Sequence, residues 1–530
     1  MLRRAAVCLF FAAPLFAEQQ SPAFRAESDH YREPQRIAVQ STALASPAVV
    51  LDAPGAAALN AGGDPPRIGI VRTLPERYEI GVGQTFLSAP QSNQPHTVAF
   101  RSAGAARVRL HLTNVQISGE LTVYGRDGMA TTFGGNESDL WTPSVDGDTI
   151  AIVFGASDRF TVAAVGHIFA KPAPESDACF TDVACNTFAD RDTLSRAIAA
   201  MEYAKPDGIY VCTGGLINAK VTDRLFLTAH HCISTQAEAS SLELTWDFRS
   251  TACNSGQSLS TAVTHGATLL ATSTTSDVTL LRLPSLPANR VLLGWDTNRP
   301  PAGTQLYRIA HPATPAGDAV YQQLYSMSIV NESVNACSGI ARPAFLYSTR
   351  SVGATGGGSS GSPVITQGGF IVGQLLGACG ADPSDHCAAS TYVVDGWLGQ
   401  SYAVLQPFLS PAASSTCTPS SANLCLLANR FKVTLTVSDP RVSGAGYANA
   451  TTQGDWGYFD VPAATGSNDK PVIFVKLIDG RPVNNRFWVF YGGLTDLQYS
   501  FTVTDTQTGA TRTYSKASGT YDGRADTEAF

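Results

Sequence analysis

The stretch Gly356-Gly-Gly-Ser-Ser-Gly-Ser-Pro-Val364 decides how the rest of the chain is read. A serine that attacks a carbonyl must sit where backbone N–H groups converge on the developing oxyanion, and glycine allows the required dihedrals and the close approach of substrate. Ser360 would supply the attacking oxygen, and the N–H groups of Gly358 and Ser360 the two donors. A Gly/Ser linker is the bland reading, but the strand-like runs Pro363-Val-Ile and Gly369-Phe-Ile-Val-Gly follow at once. Two upstream segments complete a constellation. In Thr275-Ser-Asp-Val-Thr-Leu-Leu-Arg-Leu283 an apolar strand carries one carboxylate, Asp277, at its entry. In Leu227-Thr-Ala-His-His-Cys232 a pair of histidines follows a strand, small Ala229 allows close packing, and Cys232 can pin the loop to Cys212. A serine nucleophile, an imidazole base and a carboxylate that orients it are the parts of acyl-transfer catalysis.

The order His, Asp, Ser is that of the chymotrypsin family. The segment from Cys179 to about Pro411 resembles the bacterial lysyl endopeptidases more closely still. The resemblance rests on Cys179 and Cys185, Val211-Cys-Thr-Gly-Gly-Leu-Ile217, the doubled histidine before Cys232 and Thr275-Ser-Asp-Val-Thr-Leu-Leu281. It also rests on Gly294-Trp-Asp296, His311-Pro312, Gly358-Ser-Ser-Gly-Ser-Pro363 and Val372-Gly-Gln-Leu375. It implies a chymotrypsin-like double β-barrel and a secreted serine endopeptidase. The catalytic histidine of such enzymes immediately precedes the cysteine, which makes the triad His231, Asp277 and Ser360. The resemblance further implies Cys185–Cys253, Cys179 bonded to Cys379 or Cys387, and Cys337 taking the remaining one of those two. Residue Ser359 stands where trypsin-like zymogens keep an aspartate that captures a new N-terminus, so that switch is absent. No metal or cofactor is implied. The alternatives are a secreted multi-β binding or adhesion protein with an inactive protease module and, less well matched, an esterase.

Specificity departs from the resemblance. A lysine-selecting pocket needs a buried carboxylate to offset desolvation of the ammonium. Ala354, six residues before Ser360, replaces the pocket aspartate of trypsin. Gly356 stands where the lysyl endopeptidases tend to carry an acid, and Leu376 replaces their histidine after Gly-Gln-Leu. Asp385 is the remaining acidic candidate. The competing reading is that Asp382 and Asp385 shape a turn between Cys379 and Cys387. A mostly uncharged pocket lined by Ala354, Thr355 and Gly377 is expected to favour small or apolar residues before the cut.

Around this core the chain reads as all-β. Its 530 residues are enough for about three domains. Residues 1–17, Met-Leu-Arg-Arg followed by an apolar run and a small Ala17, read as a secretory signal peptide. Residues 18–66 read as a low-complexity leader. Residues 67–170 show short alternating runs such as Val108-Arg-Leu-His-Leu112 and Leu121-Thr-Val-Tyr124. They read as an N-terminal β-sandwich, a possible prodomain, that folds by itself. The stretch Lys171-Pro-Ala-Pro-Glu-Ser is a linker candidate. Residues 177–411 form the protease domain. After a second break at Ser410-Pro-Ala-Ala-Ser-Ser-Thr, residues 417–530 read as a C-terminal β-sandwich accessory domain.

Of eleven cysteines, Cys8 lies in the signal. The remaining ten suggest five disulfides in an exported chain, with Cys212–Cys232 holding the histidine loop and Cys417–Cys425 closing a local loop. The absence of Cys-x-x-Cys pairs argues against structural zinc. With 15% charged residues and a net charge of −7, the chain lacks the basic clusters that nucleic acids and anionic membranes reward. After the signal, no apolar run reaches the roughly 20 residues needed to span a bilayer. The expected partners are protein or peptide substrates, and the expected state is a secreted monomer that crosses a periplasm if the source is bacterial.

Overall fold

The structure is a computed structural model. It describes residues 19–25, 31–37, 41–55, 59, 64–81, 95–134, 138–173, 179–185, 191–219, 224–259, 261–334, 337, 339–340, 342–380, 382–383, 385–388, 390–410, 417–451, 454–484, 486–506 and 509–530. The signal-peptide reading of residues 1–17 and parts of both linker candidates lie outside these residues. Two compact units emerge, one of Met1–Asn218 with Asp223–Leu405 and the other of Gln406–Phe530 with Ala219–Thr222. Both are all-β. No helix among the described residues is long and apolar enough to cross a membrane.

Two barrels dominate the first unit. The strands of the first are buried on both faces, so their sequences are nearly continuous apolar runs rather than alternations. Ile198–Lys205 turns back through Pro206-Asp207 into Gly208–Ile217, which pairs with Leu225–Ala229, and that strand pairs with Val278–Arg282. Glu243–Trp246 flanks Ile198–Lys205 on the other side. The second barrel is closed. Pro363–Thr366, Gln305–Ala310, Leu324–Val330, Phe345–Val352, Thr391–Trp397 and Phe370–Gly380 pair in that order, and the last pairs back to the first. Leu306, Val330, Leu346, Val364 and Val372 pack in its interior. Beside them lies a fully buried ion pair: Arg308 donates Nε to Asp395 Oδ1 at 3.0 Å and Nη1 to Ser328 Oγ at 2.8 Å. Burial pushes the Asp395 carboxyl up, and Arg308 pulls it back.

Residues 67–168 form two sheets facing one core, with Phe100, Ile150 and Ile152 from one sheet against Val108, Leu110, Leu112 and Val162 from the other. This sandwich does not end at its own edge. Its long strand Arg67–Ile80 also pairs with Gly208–Ile217, Ile209 opposite Gly69 and Tyr210 opposite Arg67. Ile68, Ile168, Ile209 and Val211 then share one cluster. The sandwich and the first barrel therefore share a sheet and part of a core, where the sequence reading has a self-sufficient unit. The leader also adds edge strands to existing sheets. Gln19–Gln20 pairs with Trp295 and Asp296, and Ala23–Arg25 with Arg290–Leu292.

The second unit packs two five-stranded sheets around one core. Phe431–Asp439 shows the local rule: Phe431, Val433, Leu435 and Val437 are buried, while Lys432, Thr434 and Thr436 alternate outward.

Among the described residues five disulfides form: Cys179–Cys387, Cys185–Cys253, Cys212–Cys232, Cys337–Cys379 and Cys417–Cys425. These settle the open choice, with Cys179 taking Cys387 and Cys337 taking Cys379.

Breaking a buried ion pair on one side strands a charge, whereas replacing both partners removes the burden. Arg308→Met is expected to cost about 3–5 kcal/mol. The double variant Arg308→Met with Asp395→Leu is expected to recover most of that loss, as read by urea unfolding.

Candidate active site

The strand Leu225–Ala229 delivers His230 and His231 to its end, and the Cys212–Cys232 bridge ties that end to the neighbouring strand. His231 Nδ1 lies 2.7 Å from Asp277 Oδ2, and the other carboxylate oxygen accepts the His231 backbone N–H at 2.9 Å. With Nδ1 committed to the carboxylate as donor, the other ring nitrogen is left as the basic one. His230 is turned elsewhere, its Nδ1 2.7 Å from the Thr272 hydroxyl.

Asp277 is held under constraint. Its φ is +57°, a region that residues with a β-carbon seldom occupy and that persists only where the surroundings impose it. Those surroundings are visible. The Asp277 carbonyl accepts the His230 N–H, and Gln374 donates Nε2 to the carbonyls of Ser276 and Asp277 at 2.5 and 3.2 Å. The Ser276 hydroxyl meets that of Ser401 at 2.6 Å. Gly396 must be glycine here, because a β-carbon would fall 1.8 Å from the Ser276 carbonyl oxygen. Sequence reasoning noticed Gln374 only as part of a motif. Its signal is an amide inside the apolar strand Phe370–Gly380, where a buried polar group needs a partner.

Ser360 is only 2% exposed. Its carbonyl accepts the Thr213 N–H and lies 3.7 Å from Cys232 Sγ, a sulfur within 4.8 Å of a His231 ring nitrogen. The backbone of Ser360 thus abuts the histidine loop. Among the described residues no hydrogen bond joins its hydroxyl to His231, and such bonds often tighten only when substrate binds. Gly358 has φ +93°, and a β-carbon there would meet the backbone of His311 and Ala313 at 3.0 Å. Ser359 accepts the Gly356 N–H with its hydroxyl at 3.2 Å, closing the turn. Among the described residues the N–H groups of Gly358 and Ser360 make no backbone hydrogen bond.

The family model described as lysyl endopeptidase, C-terminal domain, matches residues 173–392. The lysyl endopeptidase of Pseudomonas aeruginosa is 26% identical over 335 residues, which cover 56% of this chain and 71% of that protein. Over that segment this chain is similar to the lysyl endopeptidases. A solved structure of the scabies mite inactivated protease paralogue S-D1 aligns with a TM-score of 0.30 and 11% identity, covering 41% of this chain and 92% of that one.

The specificity candidates fall in different places. Ala354 and Thr355 line a narrow pocket together with Ala378, Thr391 and Val393. Leu376 packs against the Cys379 and Tyr347 cluster. Gly377 lies in the strand Phe370–Gly380. Asp385 is exposed and accepts the Cys387 N–H at 2.9 Å, so its carboxylate shapes a turn. The same pocket is bordered by Arg308, Arg350 and His386, so it is not the uncharged site that the sequence suggests. Arg350 stands near the end of the strand Phe345–Val352, and only its place in three dimensions gives it away.

Behind the Gly358 turn, His311 is fully buried, stacked on Phe248 at 5.7 Å, its Nδ1 3.2 Å from the Tyr321 carbonyl. Burial pushes its pKa down to about 4. His167, beside Arg72, is also pushed down to about 4. Unfolded histidines titrate near 6.5. Above that pH both states are neutral and the shift has no effect. As pH falls from about 6.5 towards 4, only the unfolded chain gains protons, so stability is lost. Thermal melts between about pH 7.5 and pH 4.5 are expected to show this loss, and His311→Phe is expected to make it shallower.

Proposed function

We propose that this chain is an exported serine endopeptidase with His231, Asp277 and Ser360 as its triad. The observation that carries the reading is the His231–Asp277 pair beside a turn that offers the Gly358 and Ser360 N–H groups. Ser360 attacks the peptide carbonyl while His231 takes its proton. Asp277 keeps the imidazole in the competent tautomer and stabilises the imidazolium. The tetrahedral oxyanion accepts hydrogen bonds from Gly358 and Ser360, the amine leaves with the proton from His231, and water then releases the acyl group by the same steps. Five disulfides suit an oxidising, extracellular setting. Residues 67–170 and 417–530 are accessory β-sandwiches, and the first of them, with the leader before it, is a candidate prodomain.

Ser360→Ala is expected to lower peptide hydrolysis by a factor on the order of 10⁴–10⁶ with the melting temperature unchanged, and to abolish labelling by a fluorophosphonate. Ser359→Ala is expected to keep both. Labelling that follows Ser359 instead of Ser360 would overturn the assignment.

A further inference from the structure

The pocket lined by Ala354, six residues before Ser360, is bordered by a cation that has no salt-bridge partner among the described residues. Arg308 is neutralised by Asp395 in its fully buried pair. Arg350 is not. Its Nη1 donates to the Gly353 carbonyl at 3.2 Å and its Nη2 to the Cys387 carbonyl at 2.6 Å, which fixes the guanidinium without cancelling its charge. Its Nε is buried and has no hydrogen-bond partner, and among the described residues no carboxylate forms a salt bridge with it. His386 borders the same pocket. Its Nδ1 is also buried without a partner, and its Cδ2 lies 3.7 Å from the position a β-carbon of Gly356 would take. A guanidinium with one buried, idle N–H beside a buried, idle imidazole nitrogen calls for an anionic acceptor, and it repels an ammonium.

The chain itself brings a carboxylate to the nucleophile turn. Gly357 and Gly377 come from the nucleophile turn and from the strand Phe370–Gly380. The Asp64 oxygens lie 4.0 Å and 3.9 Å from where β-carbons of those two glycines would stand. The segment continues through Pro65 and Pro66, both buried. Pro66 Cγ would be 2.8 Å from the Gly357 β-carbon, and the Pro66 carbonyl accepts the Val211 N–H at 3.1 Å. It then runs into the strand that pairs with Gly208–Ile217. Asp64-Pro65-Pro66 thus bends past the nucleophile turn, anchored by the Pro66 carbonyl, with its acidic residue near the two glycines. Asp64 itself remains exposed rather than inserted.

We propose that the primary pocket selects an acidic side chain immediately before the cut bond, with Arg350 and His386 positioning its carboxylate, and that Asp64-Pro65-Pro66 occupies the cleft as a resident competitor. This rests on the serine endopeptidase reading. It departs from the lysine preference named in the relatives and from the small or apolar preference drawn from the sequence.

The test uses the full chain with peptides that differ only in the residue before the cut: Glu, Asp, Gln, Ala or Lys. Fluorophosphonate labelling counts active Ser360 independently. Glu or Asp is expected to exceed Gln and Lys in kcat/KM by at least about tenfold. Arg350→Met is expected to collapse the Glu-over-Gln ratio about tenfold while leaving labelling and cleavage after Ala in place. Should Arg350→Met not fold, His386→Asn provides the second variant and is expected to narrow the same ratio. Asp64→Lys is expected to raise cleavage after Glu severalfold by removing the internal carboxylate. Preferred cleavage after Lys, or a Glu-over-Gln ratio unmoved in the variants while labelling persists, overturns the proposal. Failure of the endopeptidase reading is separable, because the Ser360→Ala protein is expected to bind a peptide ending in Glu and to lose that binding on Arg350→Met. Binding of that kind without labelling of the wild-type chain would refute the enzyme and keep the acidic pocket.

Discussion

Everything at the candidate active site depends on the two hydrogen bonds that join Asp277 to His231. One carboxylate oxygen accepts the imidazole N–H and the other the backbone N–H of the same residue, so side chain and main chain are fixed together. The constraint does not stop at the pair. Asp277 can hold its positive φ because Gln374 grips its carbonyl and that of Ser276, and Gln374 has room because residue 396 has no side chain. Both supports come from strands of the second barrel. The carboxylate at the end of one barrel is thus aimed by the wall of the other.

The parts of the site that could be read from the sequence are those in which chemistry demands a residue type within a few positions. The glycines around Ser360, the carboxylate at the entry of Val278–Arg282 and the histidine pair before Cys232 each had a local physical reason. The pairing of Cys212 with Cys232 followed from the same locality, and the alternation in Phe431–Asp439 made the C-terminal sheets plain. The barrels themselves were harder, because strands buried on both faces lose their period of two, and their arrangement came from family likeness. What remained hidden is non-local. Two- and three-residue strands such as Gln19–Gln20 exist only because a sheet edge awaits them. Arg350 looks ordinary in sequence, and its charge matters only because the fold holds it against two carbonyls, with no salt bridge to it among the described residues.

The proposed acidic preference illustrates how little a pocket must change to reverse its taste. A chymotrypsin-like frame supplies walls, a turn and a nucleophile. The sign of the charge at the bottom is a matter of one or two side chains held by disulfide-bridged loops, here Arg350 against the Cys387 carbonyl. Similarity to the lysyl endopeptidases in the frame therefore leaves the charge in the pocket free to differ.

The sheet that runs from Arg67–Ile80 into Gly208–Ile217 also bears on how the protein is handled as material. A chain begun at Cys179 would leave the outer edge of Gly208–Ile217 uncovered near Ile209 and Tyr210, together with the apolar faces of Ile209 and Val211. Bare strand edges next to apolar surface are templates for self-association. Shortening the protein at that point would exchange a capped edge for a sticky one.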